Sequence, residues 1–581
     1  MRLQISRSKN SASLYVIKST DINKVHSTQI VEKLGTEAEL REKLNGADPY
    51  VWAKEYIKNL NEEEKLQKRN VTISYSQSKF IEQDEKRLFN GGYLFLQQIY
   101  NELGLEKICK DISKKYDFKY NLNSILSRLI YGRVLFPASK LATNEFSKKY
   151  IEQPDFDAHQ IYRALSVIAN ESDYIQKEVY NNSLASVNRD TRVIYYDCTN
   201  YFFEIEEADI DGDRQYGKSK ENRPNPIVQM GLFMDADGIP LSFDITPGNT
   251  NEQVTLKPLE KKLISDFKMS KFVVCTDAGL ASNANRKFND VASRAFITTQ
   301  SIKKLKGHLK EWSLDPTGWK LSGSNKFYDL STLDETADYN KNFYKERWIN
   351  ENDLEQKLIV TYSLKYKNYQ AKIRNNQIER AITAIDKNPS KLEKTNPNDF
   401  RRFINSNSVT TDGEIASKKI HSINDSKIRE ESMYDGFYAV CTNLEDDASS
   451  IIKINQRRWE IEECFRIMKT EFEARPVYLQ RKERIKAHFM TCFLALTIYR
   501  ILEKKTNEQF TTEQLLTTLR EMDFLKVRGE GYIPTYTRTE ITNTLHDTFK
   551  FRTDTEIISN EIMKKIIKST QKSKTLRKKI K

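Results

Sequence analysis

The feature that most constrains this chain is a run of short apolar segments that begins at residue 192. Arg192-Val-Ile-Tyr-Tyr-Asp197, Ile227-Val-Gln-Met-Gly-Leu-Phe-Met234 and Pro240-Leu-Ser-Phe-Asp-Ile245 read as three consecutive strands, with the turn pair Asp237-Gly238 before the third. A helix is expected from about Asn251 to Phe267, then the strand Lys271-Phe-Val-Val-Cys-Thr-Asp277 and another strand from Ala295 to Thr299. This β-β-β-α-β order predicts an α/β core and places Asp197 and Asp277 at the ends of two strands. Carboxylates so placed meet at one edge of a sheet, where open α/β folds commonly bind ligands. A single strand-terminal aspartate has a plain alternative, since Asp also starts turns.

The β pattern then breaks. Residues 301–434 are polar and charge-rich, hold Trp312, Trp319 and Trp348, and include a helix near 366–387. Strand character resumes at Gly436-Phe-Tyr-Ala-Val-Cys-Thr442, and long helices follow over 446–505. The core is therefore read as split by an insertion. Upstream, residues 1–35 suggest a small strand-rich start, Thr36 to Lys68 a charged helix, and the chain to about 185 more helices. Leu122, Ile125, Leu126, Leu129 and Ile130 mark one helix that should stop near Phe136-Pro137 before Ser139 caps the next. That outline fits a helix-turn-helix and equally a packed helical bundle. A chain of 581 residues needs several domains, here 1–185, 186–300, 301–434, 435–505 and 506–581.

The segment Ile454 to Phe472 carries the third candidate acid. On a regular helix Asn455, Arg458, Glu462 and Lys469 fall on one arc, beside an apolar stripe of Ile454, Ile461, Phe465, Met468 and Phe472. Glu462 then stands at the rim of a buried face. Taken alone, the same pattern describes an amphipathic helix with solvated charges. Three converging carboxylates suit phosphoryl transfer, because Mg²⁺ prefers oxygen ligands and keeps sites for substrate phosphate. Two such ions can assist both the attacking and the leaving oxygen. Arg458 and Lys469 would contact phosphate.

Charge agrees with a polyanionic partner. Lys and Arg number 94 against 81 acids, a net +13, and nine of those basic residues lie between Met563 and Lys581 with no acid among them. The tail reads either as a solvated end or as a nucleic-acid-binding arm. Six scattered cysteines and six histidines show no metal-ligand spacing, which argues against zinc and disulfides. With no signal-peptide pattern and no apolar run of membrane-spanning length, the sequence reads as cytoplasmic and without a membrane partner.

The segment Asn455-x2-Arg458-x3-Glu462-x6-Lys469 resembles the Y-x2-R-x3-E-x6-K signature of DDE insertion-sequence transposases of the insertion sequence four group, with Asn in the first position. Flanking residues are similar too: Asp435-Gly436, Thr442-Asn443, Arg457-Arg458-Trp459, Cys464-Phe465-Arg466, Arg475-Pro476-Val477, and Ile485 with His488. Tyr196-Asp197-Cys198-Thr199 and Asp277-Ala278-Gly279-Leu280-Ala281-Ser282 are similar to the first and second acidic motifs of that group.

The resemblance implies an RNase H-like catalytic core, a mixed sheet flanked by helices, split by a β-rich insertion and preceded by a mainly helical region. It implies Asp197, Asp277 and Glu462 as catalytic, metal-binding residues. Two Mg²⁺ ions are implied, with Mn²⁺ able to substitute. Asn455, Arg458, Arg466 and Lys469 are expected on DNA, the partner being double-stranded DNA, both the inverted repeats of a bacterial mobile element and its target. A homodimer would hold both ends near the nucleoid. Asn455 can hydrogen-bond where the family tyrosine would also stack. A catalytically silent DNA-binding regulator and an RNase H-like nuclease that cuts without joining are the competing readings.

Overall fold

The computed structural model describes the chain except residues 9–10, 23–24, 68–70, 292, 388–391, 393–397, 410–414 and 573–581. The chain divides into two compact units. The smaller comprises residues 1–87, 525–534 and 555–563. It opens with an antiparallel sheet of Arg2–Ser8, Ser11–Ile22 and Val25–Thr36, followed by helices Glu37–Lys43 and Pro49–Gln67. The expected strand-rich start and charged helix are both present. Thr36 caps the first helix, accepting from Glu39 N–H while the Glu39 carboxylate accepts from Thr36 N–H, so two otherwise orphaned donors are satisfied. Leu14, Leu40 and Ala53 form its small core.

The larger unit is built on a ten-stranded mixed sheet. Its first part is β1 (Val193–Phe202), β2 (Ile227–Asp235), β3 (Pro240–Pro247), helix α1 (Glu252–Asp266), β4 (Phe272–Thr276) and β5 (Arg294–Gln300). Its second part is β6 (Trp319–Leu321), β7 (Phe327–Tyr328), β8 (Phe343–Asn350), β9 (Glu355–Tyr362) and β10 (Phe437–Thr442). The spatial order is β7-β6-β8-β9-β10-β5-β4-β1-β2-β3. β2 pairs antiparallel with both β1 and β3, and β4 and β5 run parallel to β1. Parallel neighbours need a crossover, and α1 supplies it between β3 and β4.

Two boundaries differ from those drawn on the sequence. Strands β6 to β9, within residues 301–434, extend the same sheet, since β9 pairs antiparallel with β10 in the register Leu358↔Cys441 and β10 pairs with β5, whereas Ile404–Val409 and Ile415–Ile423 form a separate two-stranded sheet. Trp319, Phe343, Leu358, Val360, Ala439 and Cys441 fill one core across that junction. The helices of residues 93–186 belong to the larger unit, not to a separate amino-terminal region. Their partner is α5 (Lys482–Lys505), with α2 (Leu364–Lys387), α3 (Ala448–Gln456) and α4 (Trp459–Arg466) preceding it in the chain. By length and composition α5 could cross a membrane, but it is almost wholly buried inside the protein. A helix apolar on every side must be covered on every side, and the early helices supply that cover.

The helix Leu122–Leu135 ends as expected and Ser139 caps Lys140–Ser147 by accepting from Ala142 N–H. Nearly every residue of Leu122–Leu135 is buried, so the helix-turn-helix outline is core packing. All six cysteines are buried and free. At the carboxyl end, Asn560–Thr570 is a helix whose Thr570 receives hydrogen bonds from Gln97 and Asn101. The basic arm expected from Met563 is therefore partly a packed element, and its last residues, 573–581, lie outside the described residues.

Candidate active site

Parallel pairing of β1 with β4 sets Tyr195 opposite Cys275, which carries Asp197 and Asp277 to matching positions two residues further along. Side chains alternate along β1. Tyr196 and Cys198 face α1, where both reach Thr255 Oγ1 at 2.7 and 3.2 Å. The opposite face is met by α3 and by the turn Ile467–Glu471 that follows α4: Tyr195 OH donates to Ile454 O at 2.9 Å, Lys469 Nζ donates to Thr199 Oγ1 at 2.7 Å, and Tyr201 OH reaches Met468 Sδ at 3.7 Å. Asp197 lies on this face, between those anchors. Period-2 alternation thus separates a packing face from a chemical one.

Asp197 does not end its strand. β1 continues five residues to Phe202, because Thr199 to Phe202 keep pairing with Met230 to Ile227. The carboxylate is accordingly half-buried within the sheet, and desolvation pushes its pKa up to about 6, with Lys220 opposing the rise and Asp277 adding to it. Cys198 N–H donates to its Oδ1 at 2.7 Å. Lys220 reaches the Cys198 carbonyl and pairs with Glu252 at 3.1 Å. Asp277 follows β4 directly, accepts from Leu280 N–H at 3.1 Å through its carboxylate, and takes Thr298 Oγ1 on its carbonyl at 3.2 Å. A Cβ at Gly279 would stand 3.3 Å from both Asp277 carboxylate oxygens, so the carboxylate would have to yield by about a few tenths of an ångström.

The third acid stands differently from the first two. The continuous helix expected over 454–472 breaks at Arg457–Arg458, and Ile467–Glu471 winds as a wider π turn. Glu462 is 58% exposed and paired with Arg458 at 3.2 Å. Burial lowers the Arg458 pKa, but Tyr438, Glu462, Asp197 and Asp277 outweigh it and raise the pKa overall. Arg458 is thus the cation shared by all three candidate acids. Among the described residues no three His, Cys, Asp or Glu side chains are close enough together to hold a metal ion by themselves. Asn455 is buried, donating to Tyr438 OH at 3.0 Å. Burial and nearby Lys220 pull Lys469 down to about 8. Arg466 is engaged by Glu463 at 2.6 and 2.7 Å and reaches Glu471 at 3.7 Å.

Asn455, Arg458 and Glu462 line one cavity of about 500 Å³ together with Tyr366, Tyr369, Tyr438 and Trp459. Trp459 is 60% exposed. The aromatic residues at this wall were not singled out by sequence pattern. The available signals were the i,i+3 pair Tyr366/Tyr369 on α2 and the tryptophan within the Arg-Arg-Trp text; Lys220 lies in a loop with no signal. The insertion tryptophans are elsewhere. Trp319 is fully buried and donates to Asp315 O at 2.9 Å, Trp312 packs on the same core, and Trp348 is 44% exposed on β8.

In this mixed sheet, Asp197 in β1 and Asp277 directly after the adjacent parallel strand β4 stand close to the cations Arg458 and Lys469. Residues 202–498 match the family described as the Transposase DDE domain, just over half of the chain, and the chain belongs to that family. Asp277 and Glu462 fall inside the matched segment, while Asp197 lies five residues before it. No curated protein matches the chain. Among solved structures it is similar, at 8% identity and a TM-score of 0.34, to a piggyBac transposase in a synaptic complex with hairpin DNA, covering 84% of this chain and 85% of that one. By its family membership the chain is a transposase of the DDE class, a protein of DNA transposition and recombination.

Proposed function

We infer that this transposase belongs with the insertion sequence four group, binds the inverted-repeat ends of its element as a dimer, cleaves there and joins the 3′ ends to target DNA in the bacterial cytoplasm. The observation that carries this is the placement of Asp197 in β1 and of Asp277 directly past the end of the adjacent parallel strand β4, beside Arg458, Glu462 and Lys469. The β3-β2-β1-β4-β5 order, with the first three strands antiparallel and the last two parallel to β1, supports an RNase H-like core.

A divalent ion fits these residues. Mg²⁺ is commonly held by one or two carboxylates, with the remaining positions taken by water and substrate phosphate, so it does not require a closed protein cage. The half-buried, desolvated Asp197 beside a second acid is the electrostatic situation a hard cation relieves. Asp197 and Asp277 would hold it, with Glu462 completing the set, and its chemistry would be activation of an attacking oxygen and stabilisation of a leaving one. The protein's own groups bind and orient. Arg458 and Lys469 contact the phosphates on either side of the reacting position, and the Thr199 hydroxyl fixes Lys469 where it can do so.

The test is incubation of the full chain with labelled DNA carrying the element's own ends, with and without Mg²⁺, followed by strand-resolved analysis. Cleaved and joined strands that require the ion are expected. Cleavage without joining would assign a nuclease, and binding without cleavage a regulator.

A further inference from the structure

A second cavity, of about 410 Å³, is walled by Arg133, Ser139, Lys140, Tyr162, Arg475 and His488 and plays no part in the chemistry above. Two of its cations are buried: Arg133 is 5% and Lys140 6% exposed. Arg133 Nη1 donates to Phe472 O at 2.9 Å and Glu473 O at 3.3 Å, and Nη2 donates to Ala138 O at 3.2 Å, which leaves Nε without a partner. Lys140 Nζ lies 3.4 Å from His488 Nδ1, while His488 Nε2 stands 3.1 Å from Ala474 O. That arrangement makes Nε2 the donor and Nδ1 the acceptor of a neutral ring, and uses one of the three ammonium protons. Among the described residues no carboxylate pairs with Arg133 or Lys140. Glu473, the acid on the wall, is exposed and gives Arg133 only its carbonyl.

Lys140 is also the first residue of the helix Lys140–Ser147, where the helix dipole repels a cation. Burying an ammonium without a counter-charge, at the wrong end of a helix, opposes folding twice. Burial and Arg133 accordingly pull Lys140 down to about 7. An anion in the cavity would relieve both penalties. The position selects which anion. Phe472, held by Arg133, lies three residues after Lys469, and Arg475 pairs with Glu221, which also stands 3.7 Å from Lys469. A strand led past Lys469 reaches this wall next, with Tyr162 and the exposed Tyr478 at its side.

We propose that this cavity seats a backbone phosphate of the DNA strand that runs past Lys469, held by Lys140, Arg133 and the amino end of the Lys140–Ser147 helix. The proposal rests on the reading that the chain acts on DNA, and its test separates the two. The full chain and its Lys140→Met variant, with Lys140→Gln as a second variant should Met not fold, are compared by melting with and without inorganic phosphate. Both are also compared by DNA binding across a salt series. A structural lysine would lower the melting temperature when removed. A phosphate seat predicts that the variant melts higher than the wild type without ligand and loses the rise that phosphate gives the wild type. It also predicts about tenfold weaker DNA binding and a log-log salt slope smaller by about one. A variant that melts lower, or that binds DNA with unchanged affinity and slope, overturns the proposal. Phosphate stabilisation lost in the variant with DNA binding intact overturns the DNA strand as occupant and assigns a free phosphate. Wild type that binds no DNA overturns the DNA reading itself.

Discussion

Glu260 on α1 offers a stability measurement that depends on one atom pair. Its side chain is fully buried behind β1 and β4, beside Leu256, Leu259 and Leu263 of the same helix. One oxygen accepts from Asn289 Nδ2 at 3.0 Å and the other has no partner among the described residues. Burial raises its pKa from 4.5 to about 7, against the opposing effects of Asn289, Arg294 and Lys257. A carboxyl whose folded pKa lies above its unfolded one binds more protons in the fold. Stability is therefore fully present below pH 4.5 and is lost as pH rises through about 7. At ~1.4 kcal/mol per pH unit the ionised group weakens the fold by about 3 kcal/mol above that range. Glu260→Gln keeps an acceptor for Asn289 and removes the charge, but leaves a buried amide proton or two unpaired at roughly 1 kcal/mol. The variant should thus gain about 2 kcal/mol at pH 8.5, which for a unit of this size is roughly a 2 °C rise in melting temperature. At pH 5 it should gain nothing. Melting curves of both proteins across that range provide the measurement, and a difference that does not change with pH would refute the argument.

Asp197→Asn and Asp277→Asn should each leave the fold and DNA binding in place while lowering strand cleavage by on the order of a thousandfold, the several kcal/mol that a lost metal ligand removes; near-normal cleavage by Asp277→Asn would withdraw it from the site. Trp459→Ala should leave the melting temperature almost unchanged, because the ring is largely exposed, yet weaken cleavage about tenfold if nucleotides enter the cavity beside Glu462, a contact of ~1 to 3 kcal/mol. Kinetics on matched DNA would decide it. Removing residues 573–581 should reduce the salt slope of DNA binding without altering melting, whereas removal from Met563 onward should lower the melting temperature by stripping out buried Ile566 and Thr570; equal effects from both deletions would place the tail's role in folding alone.

Local pattern was enough for the strands that carry the site. Short, nearly continuous apolar runs, punctuated by Asp-Gly and by charged turns, gave β1 to β5 and α1 to within a few residues, and with them the neighbourhood of Asp197 and Asp277. The spacing from Asn455 to Lys469 likewise pointed to one helical wall. Where β1 stops was decided by its neighbour, because β2 offers backbone partners as far as Ile227 and draws Thr199 to Phe202 into the ladder. Where Glu462 stands depends on the break at Arg457–Arg458 and the π turn at Ile467, which have no periodic signature. The insertion's union with the catalytic sheet, the aromatic wall at Tyr366 and Trp459, and the buried Lys140 all join residues tens to hundreds of positions apart. A one-dimensional pattern reports which face of an element is apolar. Which other element covers that face, and hence which polar groups lose their water, is set only when the whole chain packs.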